Sequence, residues 1–121
     1  MILNDHEICR SLELAKAAFP RFGNWQYSNG ENTEYCGFAL WGEFVLDPDE
    51  SLPRHFFVTL DTFQKIWRGH LTIGQHQYFW SSADFGDAHL LGTDDCATLQ
   101  DAISRLATEI AKLFNAFGAQ A

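Results

Sequence analysis

Six apolar residues, Leu99, Ile103, Leu106, Ile110, Leu113 and Phe117, recur in steps of four, three, four, three and four, a spacing that a helix of period 3.6 gathers onto one face. Thr98 stands before the run as an N-cap, with Asp101 as the acidic residue three places on. Asp101, Arg105, Glu109 and Lys112 fall on the opposite face, and Asp101 and Arg105 have the favourable four-residue order for an ion pair. So amphipathic a helix needs an apolar surface to lie on, and the rest of the chain must supply one.

A second helix is expected near the N-terminus, from about Asp5 to Ala18. Asn4 is its N-cap, Glu7 completes a capping box, Leu3 and Ile8 form a hydrophobic staple, and Pro20 stops it. Ile8, Leu12, Ala15 and Phe19 make its apolar stripe, and Cys9 within it reads as a small core residue.

Between the helices the pattern changes to short aromatic-rich runs. Asn29-Gly30, between Trp25–Tyr27 and Tyr35–Phe38, signals a tight hairpin turn because both residues accept positive φ. The alternative is a turn that closes later, around Thr33-Glu34. Gly37 and Gly42 mark bulges or a break in the run Gly37–Leu46, and Asp47–Pro53 is a loop bounded by prolines. Arg54–Leu60 alternates as a strand, with Phe56, Val58 and Leu60 on one face and His55, Phe57 and Thr59 on the other. Phe63, Ile66 and Trp67 have helical spacing, so 61–67 reads as a short helix ending near Gly69, with a continuing strand as the competing reading. A strand pair follows: Leu71–Ile73 and Gln75–Ser82, a turn at Ala83–Gly86, and a return over Asp87–Leu91.

Terminal helices around a block of strands predict an α+β fold: an antiparallel sheet of about four to six strands with both helices packed on one face. At 121 residues, with 46% apolar content, the whole chain, 1–121, reads as a single domain with one core. Three widely spaced cysteines form no disulfide framework, and no run approaches the length of a membrane span. The N-terminal residues lack the basic and apolar regions of a secretory signal, so the expected location is cytoplasmic.

Charge supplies the functional clue. Residues 22–53 and 69–104 contain no Lys or Arg, yet hold eleven of the sixteen carboxylates and eleven of the eighteen aromatics. A net charge of −8 argues against nucleic-acid binding, which depends on Lys and Arg displacing counterions, and disfavours anionic membranes; it favours a basic protein partner. Trp and Tyr supply interface anchors, and neighbouring carboxylates engage Arg or Lys on a partner. The candidate protein-binding residues are therefore Tyr78, Trp80, Asp84, Phe85, Asp87, Asp94 and Asp95, together with Asp47, Asp49 and Glu50. The acidic loops among them, at Asp84, Asp87, Asp94 and Asp95, are expected to gather at one end of the sheet.

Catalytic motifs are lacking. Ser81-Ser82 has no GxSxG setting, the glycines form no phosphate loop, and Asp47-Pro-Asp49 lacks the glycine and glutamate of a calcium loop. His70, His76 and His89, with Asp84 and Asp87, form the densest cluster for acid–base or metal chemistry, but HExxH and CxxC are absent, and no metal or cofactor is assigned. The favoured expectation is a non-enzymatic acidic binding protein that occludes a basic site on a partner, as an immunity protein or antitoxin does for a nuclease toxin. The alternatives are a small enzyme or ligand-binding domain using the histidine region, and an accessory subunit of a larger assembly.

Overall fold

The computed structural model of the chain describes residues 3–30, 37–46, 48–49, 54–74 and 88–118. The elements, in chain order, are α1 (Asp5–Ala18), β1 (Gly23–Asn29), β2 (Phe38–Leu46), β3 (Arg54–Phe63), β4 (Ile66–Ile73), β5 (Ala88–Gly92) and α2 (Leu99–Ala116). The strands form one five-stranded sheet in the order β1-β2-β3-β4-β5, with every neighbouring pair antiparallel. This is the expected α+β fold.

Both helices begin with the expected caps. Asn4 accepts from the Glu7 backbone N–H at 2.8 Å, while the Glu7 carboxylate accepts from the Asn4 N–H at 3.0 Å. The Thr98 hydroxyl accepts from the Asp101 N–H at 3.1 Å. Cys9 departs from expectation: it is exposed, because it sits on the solvent side of the stripe that buries Ile8, Ser11 and Ala15. On α2 the ion pair joins Glu109 to Lys112 at 3.1 Å, rather than Asp101 to Arg105.

The face of the sheet under the helices follows from register. Leu40 lies opposite Leu60 and Leu60 opposite Gly69; Gly42 pairs with Val58, and Val58 with Leu71. These positions join Ile8, Ala15 and Phe19 of the N-terminal segment and Leu99, Ala102, Ile103 and Leu106 of α2 in one apolar core. α2 lies mainly along β4. Gly69 permits the close approach, since a Cβ there would come 3.1 Å from a Leu106 methyl and 3.3 Å from Leu60. Aromatic rings line the same core: Phe19, Phe22, Phe44 and Phe56 touch in series at centroid distances of 6.3, 6.0 and 6.5 Å.

Three local expectations are corrected. Asn29-Gly30 does not form a two-residue turn, because Asn29 pairs with Phe38 across the sheet. The Asn29 amide is buried instead, accepting from the Leu3 N–H at 3.0 Å and donating to the Leu3 carbonyl at 2.9 Å, so it fastens the chain entering α1 to the sheet. Gly42 neither bulges nor breaks β2: the Trp25 indole lies over it, where a Cβ would meet ring atoms at 2.6 Å. The bulge is on the partner strand, between Gly23 and Gln26.

The third correction concerns 61–67, which is no helix. β3 runs on to Phe63, turns through Gln64 and Lys65, and returns as β4, with Phe63 paired to Ile66. Both turn residues have positive φ, 55° and 68°, as a two-residue hairpin turn of the I′ type requires. Neither is Gly or Asn, so the sequence carried no turn signal there. The expected strand and turn over 75–87 lie outside the described residues.

Left-handed backbone costs a residue with a Cβ roughly 1 kcal/mol. Lys65→Gly is therefore expected to stabilise the protein by about 0.5–1 kcal/mol, read as a higher urea midpoint at unchanged slope.

Candidate functional site

The second face of the sheet carries the polar residues. Alternation places Phe57, Thr59 and Asp61 of β3 on it beside Arg68, His70 and Thr72 of β4, with Thr59 opposite His70 and Asp61 opposite Arg68. β5 contributes through a bulge. Leu71 pairs with Leu91 but Thr72 pairs with His89, so Leu90 is the extra residue, and His89 is carried onto the face of His70.

There the three ionisable side chains form a chain. The His70 Nε2 is 2.9 Å from Asp61 Oδ2, and its Nδ1 is 3.4 Å from His89 Nε2. Asp61 is 1% exposed and His70 8%, whereas His89 is exposed, so the series runs from a buried carboxylate to the surface. The two imidazoles meet edge to face with centroids 5.5 Å apart. Gly92, opposite His70, makes room for them: a Cβ there would sit 3.1 Å from the His89 ring and 3.3 Å from His70 Nδ1.

Chemistry follows from donor and acceptor counts. A carboxylate accepts only, so His70 Nε2 carries hydrogen and donates to Asp61. Neutral His70 then presents Nδ1 as an acceptor, and the hydrogen of the Nδ1···Nε2 contact comes from His89. Burial, followed by the neighbouring His70, lowers the pKa of His89 below its ordinary value. Two imidazolium ions 5.5 Å apart would repel by about 3 kcal/mol at an effective dielectric constant near 20, less where water reaches His89.

The surrounding polar atoms are under-satisfied. Asp61 Oδ1, Thr59 Oγ1 and Thr72 Oγ1 are buried without a hydrogen-bond partner among the described residues. Further along the same face Glu43 and His55 pair at 2.8 Å, both half-buried. Among the described residues no three of His, Cys, Asp and Glu are arranged to hold a metal ion. His70 has Nε2 on Asp61 and faces His89 with Nδ1, leaving no nitrogen for a shared ion.

Of the histidines singled out from sequence, His70 and His89 come together, and His76 lies outside the described residues. Asp61 was missed because 61–67 read as helical; the alternation Phe57, Thr59, Asp61 was its available signal. Among the expected protein-binding residues, Asp49 is exposed in the turn after β2. Asp94 is exposed and shares a groove of about 320 Å³ with Arg105 and Glu109, while exposed Asp95 lies 3.8 Å from Arg68 Nε. Tyr78, Trp80, Asp84, Phe85, Asp87, Asp47 and Glu50 lie outside the described residues.

Strand order defines the two ends of the sheet. β2 and β4 finish, and β3 and β5 start, at the end remote from the Gln64–Lys65 turn, which we call the far end. Asp94 and Asp95 follow the other end of β5, beside Gly69 and Trp67. Asp84 and Asp87, expected to gather with Asp94 and Asp95, lie outside the described residues. The connections after β2 and β4 belong to the far end, and Asp94 and Asp95 to the hairpin end.

Comparisons with protein-family models, curated proteins and solved structures give no match. The site therefore rests on its own geometry. A double-mutant cycle between Asp61→Ala and His70→Ala should return a coupling energy of about 1.5–3 kcal/mol in urea unfolding at neutral pH, as for a buried charge-assisted hydrogen bond. Coupling below about 0.5 kcal/mol would remove the pair from the account.

Proposed function

We propose that this protein is a non-enzymatic, cytoplasmic binding protein that occludes a basic site on a partner protein, in the manner of an immunity protein or antitoxin acting on a nuclease toxin. A nuclease site is cationic because it must hold phosphates, so an acidic rigid surface is drawn to it and excludes substrate on contact. The observation that carries this reading is the strand order. β2 and β4 finish, and β3 and β5 start, at one end of the sheet, and the sequence that joins those strands, 47–53 and 74–87, is free of Lys and Arg. Between them they hold Asp47, Asp49, Glu50, Asp84 and Asp87, with Tyr78, Trp80 and Phe85 as aromatic anchors. No helix among the described residues is long and apolar enough to cross a membrane.

One observation favours a second reading, a small ligand-binding domain or enzyme. His70 and His89 share a face and touch, with Asp61 behind them. That arrangement suits proton transfer at His89, and a ligand would shift the imidazole resonances of both rings in NMR spectra. Saturating additions of the ligand tested that leave both unchanged would count against it.

The binding reading is tested by co-expression with the product of the adjacent reading frame, on the expectation that an inhibitor and its target are encoded together. A complex is expected whose affinity falls at least about tenfold between roughly 50 and 500 mM salt, since screening removes long-range attraction. Asp49→Lys should weaken it further and Asp95→Lys much less. No complex with a cationic product, or one indifferent to salt, would contradict the reading.

A further inference from the structure

We propose that the groove at the hairpin end of the sheet, walled by Leu3, Phe63 and Trp67, binds a small carboxylate with an apolar body, and that Lys65 holds the carboxylate. The groove lies away from the far end of the sheet, so this site does not depend on the proposed function.

The groove has a volume of about 470 Å³, within the roughly 300–1,000 Å³ of small-ligand sites. Its apolar walls come from three places in the sequence, and each is fixed. Leu3 is tied to the sheet through its backbone N–H and carbonyl by the Asn29 amide, at 3.0 and 2.9 Å. Trp67 exchanges backbone bonds of 2.8 and 2.9 Å with Cys96, and its indole meets the Phe38 ring edge to face at a centroid distance of 6.1 Å. Phe63 sits beside the turn, opposite Ile66, and is 38% exposed. Walls already held in place lose little freedom when a ligand enters, so their contact with an apolar body is not offset by ordering.

The turn supplies the charge. Gln64 and Lys65 line the groove, and both hold left-handed backbone, with φ of 55° and 68°. Asn-Gly would make such a turn at lower cost. Non-glycine residues kept in this region by their surroundings cluster at ligand sites, and here the strained pair sets a cation beside an apolar groove. Lys65 is exposed and has no ion-pair partner among the described residues.

Glu7 is the other charged residue of the lining, and its charge is already answered. Its carboxylate accepts from the Asn4 N–H at 3.0 Å in the first turn of α1, where the helix dipole offsets negative charge. The uncompensated charge at the groove is therefore that of Lys65, which selects an anion. The walls then select among anions, since an inorganic ion would leave Leu3, Phe63 and Trp67 uncovered. The net charge of −8 repels anions at long range, but at about 0.15 M ionic strength that field is screened beyond roughly 8 Å, and a contact with Lys65 is shorter than this.

The test uses phenylacetate with the full-length protein at about pH 7.5 and about 0.15 M salt, read by amide and indole N–H chemical shifts. Saturable shifts are expected on Leu3, Gln64, Lys65 and Trp67, with a Kd below about 10 mM. Neutral phenylacetamide and cationic benzylamine should each bind at least about threefold more weakly, the size of effect an exposed charge pair gives. Lys65→Asn removes the charge with a residue that tolerates left-handed backbone, and should weaken phenylacetate by about the same threefold; Lys65→Arg should retain it. Lys65→Gly should weaken binding while raising the urea midpoint, which separates loss of the ligand from loss of the fold. No saturable shift up to about 50 mM phenylacetate overturns the proposal, as do shifts centred away from the groove. Phenylacetamide or benzylamine binding as tightly as phenylacetate, or full affinity in Lys65→Asn or Lys65→Gly, also overturns it.

Discussion

Consecutive antiparallel pairing of β1 through β5 decides where every other part of this chain can go. In such a sheet the connections alternate between ends, so the turn after β3 and the chain after β5 share one end, while the connections after β2 and β4 share the other. The same pairing fixes which residues face the helices. Leu40, Leu60, Val58 and Leu71 form one face because each lies opposite or next to another across an unbroken register, and a slip of one residue would turn all of them outward. The apolar stripes of α1 and α2 find their surface there, and Gly69 lets Leu106 sit close against β4.

Such a sheet leaves its second face to other chemistry. Among the described residues the buried groups on it are Ser28, Ala39, Phe57, Thr59, Asp61, His70 and Thr72, a more polar mixture than the core opposite. Buried polar atoms without partners cost stability, and three of them cluster around the Asp61–His70 bond. A core selected for stability alone would not carry them. They are concentrated beside two touching imidazoles.

Local chemistry made much of this fold readable in the sequence. The capping box at Asn4 and Glu7, the cap at Thr98 and the period of the α2 stripe each act within one or two turns of helix, so they identified both helices almost to the residue. What escaped depended on partners distant in the chain. Gln64 and Lys65 adopt left-handed backbone because β3 and β4 pair on either side of them, against their own preference. Asn29 has the composition of a turn residue and is used instead to hold Leu3, twenty-six positions away. The bulge at Leu90 has no sequence signature, yet it alone puts His89 beside His70. Asp61 was hidden by the same error that concealed the hairpin.

The functional account joins a charge pattern to this topology. Stretches of sequence without a basic residue join strands at the end of the sheet remote from the Gln64–Lys65 turn, and β5 starts there. The most direct measurement is amide chemical-shift mapping of the full chain at neutral pH as an oligo-arginine peptide is added. The account predicts that the largest shifts fall on Asp49, His55, Gly74, Ala88 and His89, and that Gln64, Lys65, Asp94 and Asp95 stay nearly still. Shifts concentrated on Asp94 and Asp95, or spread evenly over the surface, would contradict it.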